Sequence, residues 1–330
     1  MERGKTMANY RMLFQPKYGE MAPEVRVPAP ENFDLTNPTT ARKKLIAEIY
    51  AGIVTEVKET ACYEAICEVP TTDLRVAVRD GAEIPVRIYH PLGEGPHKVL
   101  YFIHGGGFIS NDLNVYDYVN RYLCRNSNAV VFAVEYRLAP EYRCPTGRED
   151  CYDVMQWVAA HAAEYGGDPT TLSVCGDSAG GNLTAAMALM SRDRKGAKIT
   201  KQMMVFPLTT FVLDEPSYSM ERYGKGDYFL KMDGADNGLA RIYFSDPADA
   251  WDPYNSPLLA EDLKDLPPAY FYSAECDPLL DQGLMFAAKL QDAGVPVEYH
   301  VYEGMIHGFL NRTLQKSYAC MDQICADLRA

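Results

Sequence analysis

From about residue 74 onward, short apolar runs alternate with longer segments typical of helices, and this alternation constrains the fold more than any other feature. The runs at 98–103 (KVLYFI) and 129–136 (AVVFAVEY) are continuously apolar, as strands covered on both faces are. Segments typical of helices lie at 148–166 and 180–193. Strands that alternate with helices imply right-handed crossovers and a mostly parallel sheet, so the sequence predicts an α/β fold class.

The other segments extend this pattern in both directions. Residues 74–78 (LRVAV) and 84–90 (IPVRIYH) alternate in polarity, which is typical of antiparallel strands. Further strands are predicted at 172–176, 201–208, 269–275 and 295–302, and further helices at 279–294 and about 313–328. A length of 330 residues suits one large α/β domain with an insertion, so we expect residues 1–330 to form a single domain.

Two regions depart from the alternation. Residues 1–35 are rich in Pro, Met and Tyr and are predicted to form an extended arm, followed by a helix over about 37–54. The apolar face of this helix either packs on the main domain or flanks a site entrance. Residues 208–252 contain many aromatics and only short helical pieces, and an irregular stretch of this length is typical of a lid or binding element.

Composition argues against several classes of partner. The net charge is −13, and an acidic surface disfavours both nucleic acid and anionic membrane surfaces, which attract basic patches. The longest aliphatic runs have the length of strands, so no membrane-spanning segment is predicted. The sequence does not determine the oligomeric state, and a homodimer is retained as one option.

The nine cysteines favour a reducing compartment. Their number is odd, no C-x-x-C pair occurs, and no histidine lies beside them, which argues against both a disulfide framework and zinc. The first twenty residues lack the apolar core of a secretory signal. We therefore expect a cytoplasmic protein with reduced thiols and no bound metal.

Residues 176–182 (GDSAGGN) lie between a predicted strand and a predicted helix. A G-x-S-x-G pattern in this context is typical of a sharp turn that exposes a serine, Ser178, at the carboxyl end of a strand. Small residues are needed beside the serine because side chains there would collide with backbone. Ser178 is therefore the candidate nucleophile, and the amide of Ala179 is a candidate donor to a developing oxyanion.

A serine hydroxyl needs a base, and two histidines follow Ser178. His300 lies within a predicted strand on its more polar face, which favours a surface position. His307 lies in a loop just after that strand, where catalytic groups gather in an open α/β sheet, so His307 is the candidate base.

The acid that orients this histidine is expected between the two. Asp277 follows an apolar strand directly and is the candidate. Asp281 suits the start of the next helix, and Glu275 at the strand end is the weaker alternative. Asp177, beside the serine, is expected to support the turn through hydrogen bonds instead.

Residues 104–108 (HGGGF) follow another predicted strand. Adjacent glycines let backbone amides approach a ligand closely, which suits an oxyanion hole for acyl transfer. A phosphate-binding loop is the competing interpretation, but the lysine and the glycine spacing of those motifs are absent. A purely structural glycine turn is the remaining alternative.

Five motifs in order resemble hormone-sensitive-lipase-like esterases (bacterial family IV) of the α/β-hydrolase superfamily, in particular the arylacetamide deacetylase and acetyl esterase branches. The motifs are HGGGF, YRLAPE at 136–141, GDSAGGN, DPLLD at 277–281 and HGF at 307–309.

The resemblance implies an eight-stranded, mostly parallel sheet and a cap, for which residues 1–60 and 208–252 are suitably placed. It also implies the triad Ser178, Asp277 and His307 and oxyanion amides at Gly106, Gly107 and Ala179.

These observations lead to the hypothesis of a carboxylesterase that acts on small-molecule, short-chain esters without a cofactor. Phe108, Phe206 and Phe211 are candidates for the acyl pocket, with a purely structural core role as the alternative. Two other functions stay open. An amidase or deacetylase would use the same residues, and a ligand-binding receptor on this fold would lack a working histidine.

Overall fold

The computed structural model describes residues 56–213, 216–232 and 238–330, together with residues 40, 42–44, 47 and 52. The described residues form one sheet of eight strands: β1 (Thr71–Ala77), β2 (Glu83–Tyr89), β3 (Val99–Ile103), β4 (Val130–Val134), β5 (Ser173–Asp177), β6 (Lys201–Val205), β7 (Ala269–Cys276) and β8 (Val297–Ile306). Their spatial order is β1-β2-β4-β3-β5-β6-β7-β8.

One strand, β2, runs opposite to the other seven strands of the sheet. β1 pairs antiparallel with β2, and β2 pairs antiparallel with β4, as the alternating polarity of their sequences predicts. The pairs from β4 through β3, β5, β6 and β7 to β8 are all parallel. The predicted α/β class and the mostly parallel eight-stranded sheet are therefore confirmed.

Helices cover both faces of this sheet. The helices whose bounds the structure gives are α1 (Tyr63–Cys67), α2 (Asp117–Ser127), α3 (Thr146–His161), α4 (Ala179–Asp193), α5 (Tyr218–Tyr223), α6 (Gly238–Tyr243), α7 (Leu280–Asp292) and α8 (Gln315–Arg329). The described residues at 40, 42–44, 47, 52 and 56–58 are helical as well. No helix in this described part combines the length and the apolarity needed to cross a membrane.

The core consists of two apolar layers, one on each face of the sheet. All five residues of β3 are buried, and successive side chains point to opposite faces. Tyr101 and Ile103 join the layer beneath α3, α4 and α7, whereas Leu100 and Phe102 join the layer beneath α2 and α8. Burial on both faces explains why the central strands are continuously apolar.

The parallel strands bring the predicted site residues to one edge of the sheet. Ile103 ends β3 just before the HGGGF loop, Asp177 ends β5 before Ser178, Cys276 ends β7 before Asp277, and Ile306 ends β8 before His307. Because parallel strands have their carboxyl ends at the same edge, residues about 200 positions apart in the chain come to lie at that edge.

The insertion at 208–252 contains α5, α6 and a 3-10 turn at Pro247–Trp251, in agreement with the predicted short helical pieces. Its aromatic residues Tyr243 and Phe244 are buried against the core. The predicted arm at 1–35 and most of the predicted helix at 37–54 lie outside the described residues. The assignment of 1–60 and 208–252 to a cap therefore stays a prediction.

Candidate active site

Ser178 lies at the turn between β5 and α4, and its backbone has φ 53° and ψ −114°, a conformation that residues other than glycine rarely adopt. The turn is possible because its neighbours are glycines. A Cβ atom on Gly180 would collide with the carbonyl oxygen of Ile103, and one on Gly176 would lie 2.6 Å from the same oxygen. The Ser178 amide donates to the Val205 carbonyl at 2.8 Å, which ties the turn to β6.

The side chains of Ser178, His307 and Asp277 form a continuous chain of hydrogen bonds. His307 Nε2 lies 2.8 Å from Ser178 Oγ, and His307 Nδ1 lies 2.7 Å from Asp277 Oδ2. Since a carboxylate only accepts, Nδ1 carries the proton and Nε2 accepts from the serine hydroxyl. Asp277 is 1% exposed, and its Oδ1 accepts from the Leu279 amide at 2.8 Å, so its orientation is fixed.

The alternatives considered from the sequence have other contacts. His300 Nε2 lies 3.7 Å from Asp327, Glu275 accepts a hydrogen bond from the Gly304 amide, and Asp281 accepts one from the Ser219 amide.

Two aromatic rings hold His307 in place. Phe206 packs edge-on against the imidazole at 4.8 Å between ring centroids, and Phe229 is nearly parallel to it at 6.4 Å. Phe206 is 2% exposed, and its ring centroid also lies 5.5 Å from that of Phe309. Sequence reasoning did not single out Phe229, although the richness of residues 208–252 in aromatics was a signal for it.

The loop after β3 lies beside the serine turn, because the Gly105 amide donates to the Asp177 carboxylate at 2.9 Å. Gly106 and Gly107 have φ 115° and 62°, and a Cβ atom on Gly106 would collide with the Ser110 carbonyl. The amides of Gly106, Gly107 and Ala179 donate to no acceptor within the described part of the chain. Ala179 is the first residue of α4, so its amide lies at the positive end of the helix dipole.

Asp177 joins the serine turn to the glycine loop. Its Oδ1 accepts from the Gly105 amide at 2.9 Å, and its Oδ2 accepts from the Tyr116 hydroxyl at 2.7 Å. Burial raises the pKa of Asp177 to about 6, against the opposing effect of these hydrogen bonds. The predicted supporting role of Asp177 thus has a specific partner, the loop that carries Gly106 and Gly107.

His104, the first residue of the glycine loop, is buried and neutral. Burial lowers its pKa to about 4, its Nδ1 lies 2.7 Å from the Gly105 carbonyl, and its ring stacks on Tyr136 at 4.5 Å. The Tyr136 hydroxyl donates to the His104 carbonyl at 2.9 Å. His104 therefore anchors the start of the loop, a role that sequence reasoning did not assign although the residue opens the motif.

The other two predicted pocket residues lie in an aromatic cluster with the insertion. Phe108 is 1% exposed and stacks on Tyr243 at 4.1 Å, and the Phe211 ring lies 5.8 Å from Phe108 and 4.7 Å from Phe244. Contact of Phe108, Phe206 and Phe211 with substrate stays a prediction.

One group of side chains in the described ranges has the composition of a metal site. The ligand atoms of Glu298, His300 and Asp327 lie within 4.8 Å of one another. They lie on β8 and α8, and the hydrogen-bonded chain around Ser178 and His307 does not include them.

Comparison with known proteins agrees with this fold. Residues 100–311 match the family model described as the alpha/beta hydrolase fold. The chain is 40% identical over 240 residues to an arylesterase of Saccharolobus solfataricus, covering 73% of this chain and 77% of the relative. It is 37% identical to an ethyl acetate hydrolase of Pseudomonas putida (72% and 75% covered) and 32% identical to an arylacetamide deacetylase of Bos taurus (73% and 76% covered).

Solved structures give the same result. A hyperthermophilic esterase from the archaeon Pyrobaculum calidifontis superposes with a TM-score of 0.79 at 35% identity, covering 87% of this chain and 92% of the other. A thermostable carboxylesterase cloned from a metagenomic library gives 0.80 at 32% identity, covering 88% and 96%. The chain belongs to the α/β-hydrolase family, within its hormone-sensitive-lipase-like branch of serine carboxylester hydrolases.

Proposed function

We propose that this protein hydrolyses short-chain carboxylic esters through an acyl-enzyme formed on Ser178. The observation that carries the proposal is the hydrogen-bonded chain Ser178–His307–Asp277, with distances of 2.8 and 2.7 Å. A serine becomes an effective nucleophile when a base accepts its proton and a third group orients that base.

In the first half of the reaction, Ser178 Oγ attacks the ester carbonyl while His307 Nε2 takes the hydroxyl proton. Asp277 stabilises the imidazolium that forms. The carbonyl oxygen becomes an oxyanion against the amides of Gly106, Gly107 and Ala179, which are available because they have no acceptor among the described residues. His307 then protonates the leaving alcohol, and the acyl group remains on Ser178 as an ester.

In the second half, His307 takes a proton from water, and the resulting hydroxide attacks the acyl-enzyme. The second tetrahedral intermediate collapses, His307 returns a proton to Ser178, and the carboxylic acid leaves. His307 is the histidine that exchanges protons with the serine, because its Nε2 lies 2.8 Å from Ser178 Oγ, whereas His104 Nδ1 lies 2.7 Å from the Gly105 carbonyl.

Short acyl chains are favoured because aromatic residues crowd the site. Phe229 and Phe309 line a recess beside His307 together with Leu314 and Arg312. We further propose that residues 1–60 and 208–252 form a cap on one domain and limit the length of acyl chain that fits, with Phe108 and Phe211 on the acyl side. The name ethyl acetate hydrolase, given to one relative, is consistent with small substrates.

An amidase or deacetylase activity is the second candidate, because one relative is named arylacetamide deacetylase. The same residues would act, since an amide passes through the same tetrahedral intermediate. A ligand-binding receptor is disfavoured by the direct contact between His307 and Ser178.

The test is a panel of p-nitrophenyl esters from acetate to a long acyl chain, with p-nitroacetanilide as the matched amide. We expect the highest kcat/KM on acetate or butyrate, and a fall of roughly 10⁴-fold or more in kcat for Ser178→Ala. Ser173→Ala is the control, because Ser173 lies at the opposite end of β5 and contacts Thr200. Folded protein without turnover on every ester would rule the proposal out, and preference for the anilide would support the second candidate.

We also propose a cytoplasmic protein. All nine cysteines are free, and seven of them are buried, which suits a reducing compartment. A homodimer remains a proposal, and light scattering after gel filtration would determine the mass of the assembly.

A further inference from the structure

Arg42 makes a set of contacts that the reaction chemistry does not explain. Its Nε donates to the Ile109 carbonyl at 2.6 Å, and its Nη2 donates to the Ala139 carbonyl at 2.5 Å. The same guanidinium holds Glu141 through two bonds, Nη1 to Oε1 at 3.0 Å and Nη2 to Oε2 at 2.7 Å. The side chain of Arg42 is 14% exposed, so most of this charge is withdrawn from water.

The two carbonyls belong to segments that meet beside the glycine loop. Ile109 closes the turn of that loop, because its amide donates to the Gly106 carbonyl at 3.2 Å. The Ala139 amide donates to the Phe108 carbonyl at 2.9 Å, so the 139–141 segment is hydrogen-bonded to the glycine loop. Arg42 therefore links the glycine loop to this segment, while the Glu141 carboxylate holds the guanidinium in position.

This bridge acts on a loop whose backbone conformation depends on glycines. Gly106 and Gly107 have φ values of 115° and 62°, and glycine also populates other backbone regions readily. Donors to an oxyanion must lie within a narrow range of distances, so a small displacement of the loop lowers the rate. A planar guanidinium can hold two carbonyls and a carboxylate at once, which a lysine ammonium with its point charge cannot do in the same geometry.

We propose that Arg42 is a positioning residue for the oxyanion loop: it holds the Ile109 carbonyl so that the amides of Gly106 and Gly107 meet the developing oxyanion. The inference rests on the proposed function, because it concerns the same oxyanion. The competing explanation is that Arg42 only fastens the amino-terminal part of the chain to the domain.

The experiment compares Arg42→Ala and Arg42→Lys with wild type, using Arg125→Ala as the matched control. Arg125 also forms an ion pair, with Glu68 at 3.2 Å, but on α2 and outside the loop. Hydrolysis of p-nitrophenyl acetate is measured. The concentration of active sites is determined by titrating Ser178 to completion with a fluorophosphonate, and kcat is expressed per active site. This normalisation removes any effect of a smaller folded fraction. Binding of phenylboronic acid, which forms a tetrahedral adduct with a serine, gives a second readout.

We expect Arg42→Ala to lower kcat per titrated site by roughly 10-fold to 100-fold with little change in KM. Phenylboronic acid should lose affinity in the same direction, Arg42→Lys should recover only part of both losses, and Arg125→Ala should resemble wild type. The inference is overturned if both Arg42 variants keep kcat per site and boronate affinity within about twofold of wild type, even when their melting temperature falls. If Arg42→Ala does not fold, kcat per active site and boronate affinity of Arg42→Lys, compared with wild type, test the inference in its place. Failure of the proposed function is distinguishable, because wild type itself would then show no turnover and no titration.

Discussion

Asp177 shows how one buried carboxylate links two loops and makes stability depend on pH. Its folded pKa, about 6, lies above the usual value of 3.8 because burial penalises the charge. The folded state therefore binds the proton more tightly than the unfolded chain does. The stabilisation that results is complete below pH 3.8 and is lost as the pH rises through 6, and the difference corresponds to about 3 kcal/mol.

We predict that Asp177→Asn becomes progressively more stable relative to wild type between pH 4.5 and pH 7.5, since asparagine has no charge to bury. Its amide oxygen can still accept from Gly105, and its NH₂ group can donate to the Tyr116 oxygen, so activity should fall only a few-fold. Melting temperatures of both proteins across this range provide the measurement.

The control for this substitution is Asp177→Ala, which loses the contact with Gly105 and should lose far more activity than the asparagine variant. If the melting-temperature difference between Asp177→Asn and wild type is the same at both ends of the pH range, Asp177 does not titrate as described.

At the scale of elements, the junction of β5 with α4 depends on close packing of backbone. A Cβ atom on Gly180 would collide with the Ile103 carbonyl and would lie 2.8 Å from the His104 carbonyl. We predict that Gly180→Ala destabilises the fold by more than about 2 kcal/mol, because α4 cannot withdraw without moving Ser178. Urea denaturation gives the free energy of unfolding.

Gly238→Ala is the matched control for that junction. An added Cβ atom on Gly238, the first residue of α6, meets no atom within 4 Å, so a change close to zero is expected. If Gly180→Ala and Gly238→Ala had the same free energy of unfolding, the close approach of α4 to β3 would have no energetic consequence.

The sequence was most informative about the helices and strands and about the residues that follow them. Asp277 and His307 could be predicted because each comes just after a predicted strand, and parallel strands end at a common edge. The contacts of Phe229 with His307, of Tyr116 with Asp177 and of Arg42 with Ile109 could not. Each joins segments far apart in the chain, and no local periodicity encodes which distant side chain meets which loop.

At the scale of the whole molecule, the packing of the sheet between two apolar layers controls the reactivity of the thiols. Cys67 is exposed and Cys62 is half-buried, whereas the other seven cysteines are buried. Burial also raises the pKa of the thiols, to about 11 for Cys276 and about 12 for Cys325. The thiolate is the reactive form of cysteine. Burial therefore protects these thiols both by limiting the access of reagents and by lowering the fraction of thiolate.

We predict that Ellman's reagent modifies Cys67 rapidly and Cys62 slowly in the native protein, and all nine cysteines after unfolding without a reductant. Cys67→Ser is the control that should remove the fast phase. Fewer than nine reactive thiols in the unfolded protein would reveal a disulfide and would contradict the reducing compartment that we propose.

The central claim is that Ser178, activated by His307 and Asp277, forms the covalent intermediate. Peptide mapping by mass spectrometry after reaction with a fluorophosphonate tests this claim most directly, because the phosphonyl adduct is stable and marks the nucleophile. The account predicts a single adduct on Ser178, none on Ser178→Ala, and slower labelling of His307→Ala and Asp277→Asn. An adduct on another side chain, or equal labelling of Ser178→Ala, would contradict it.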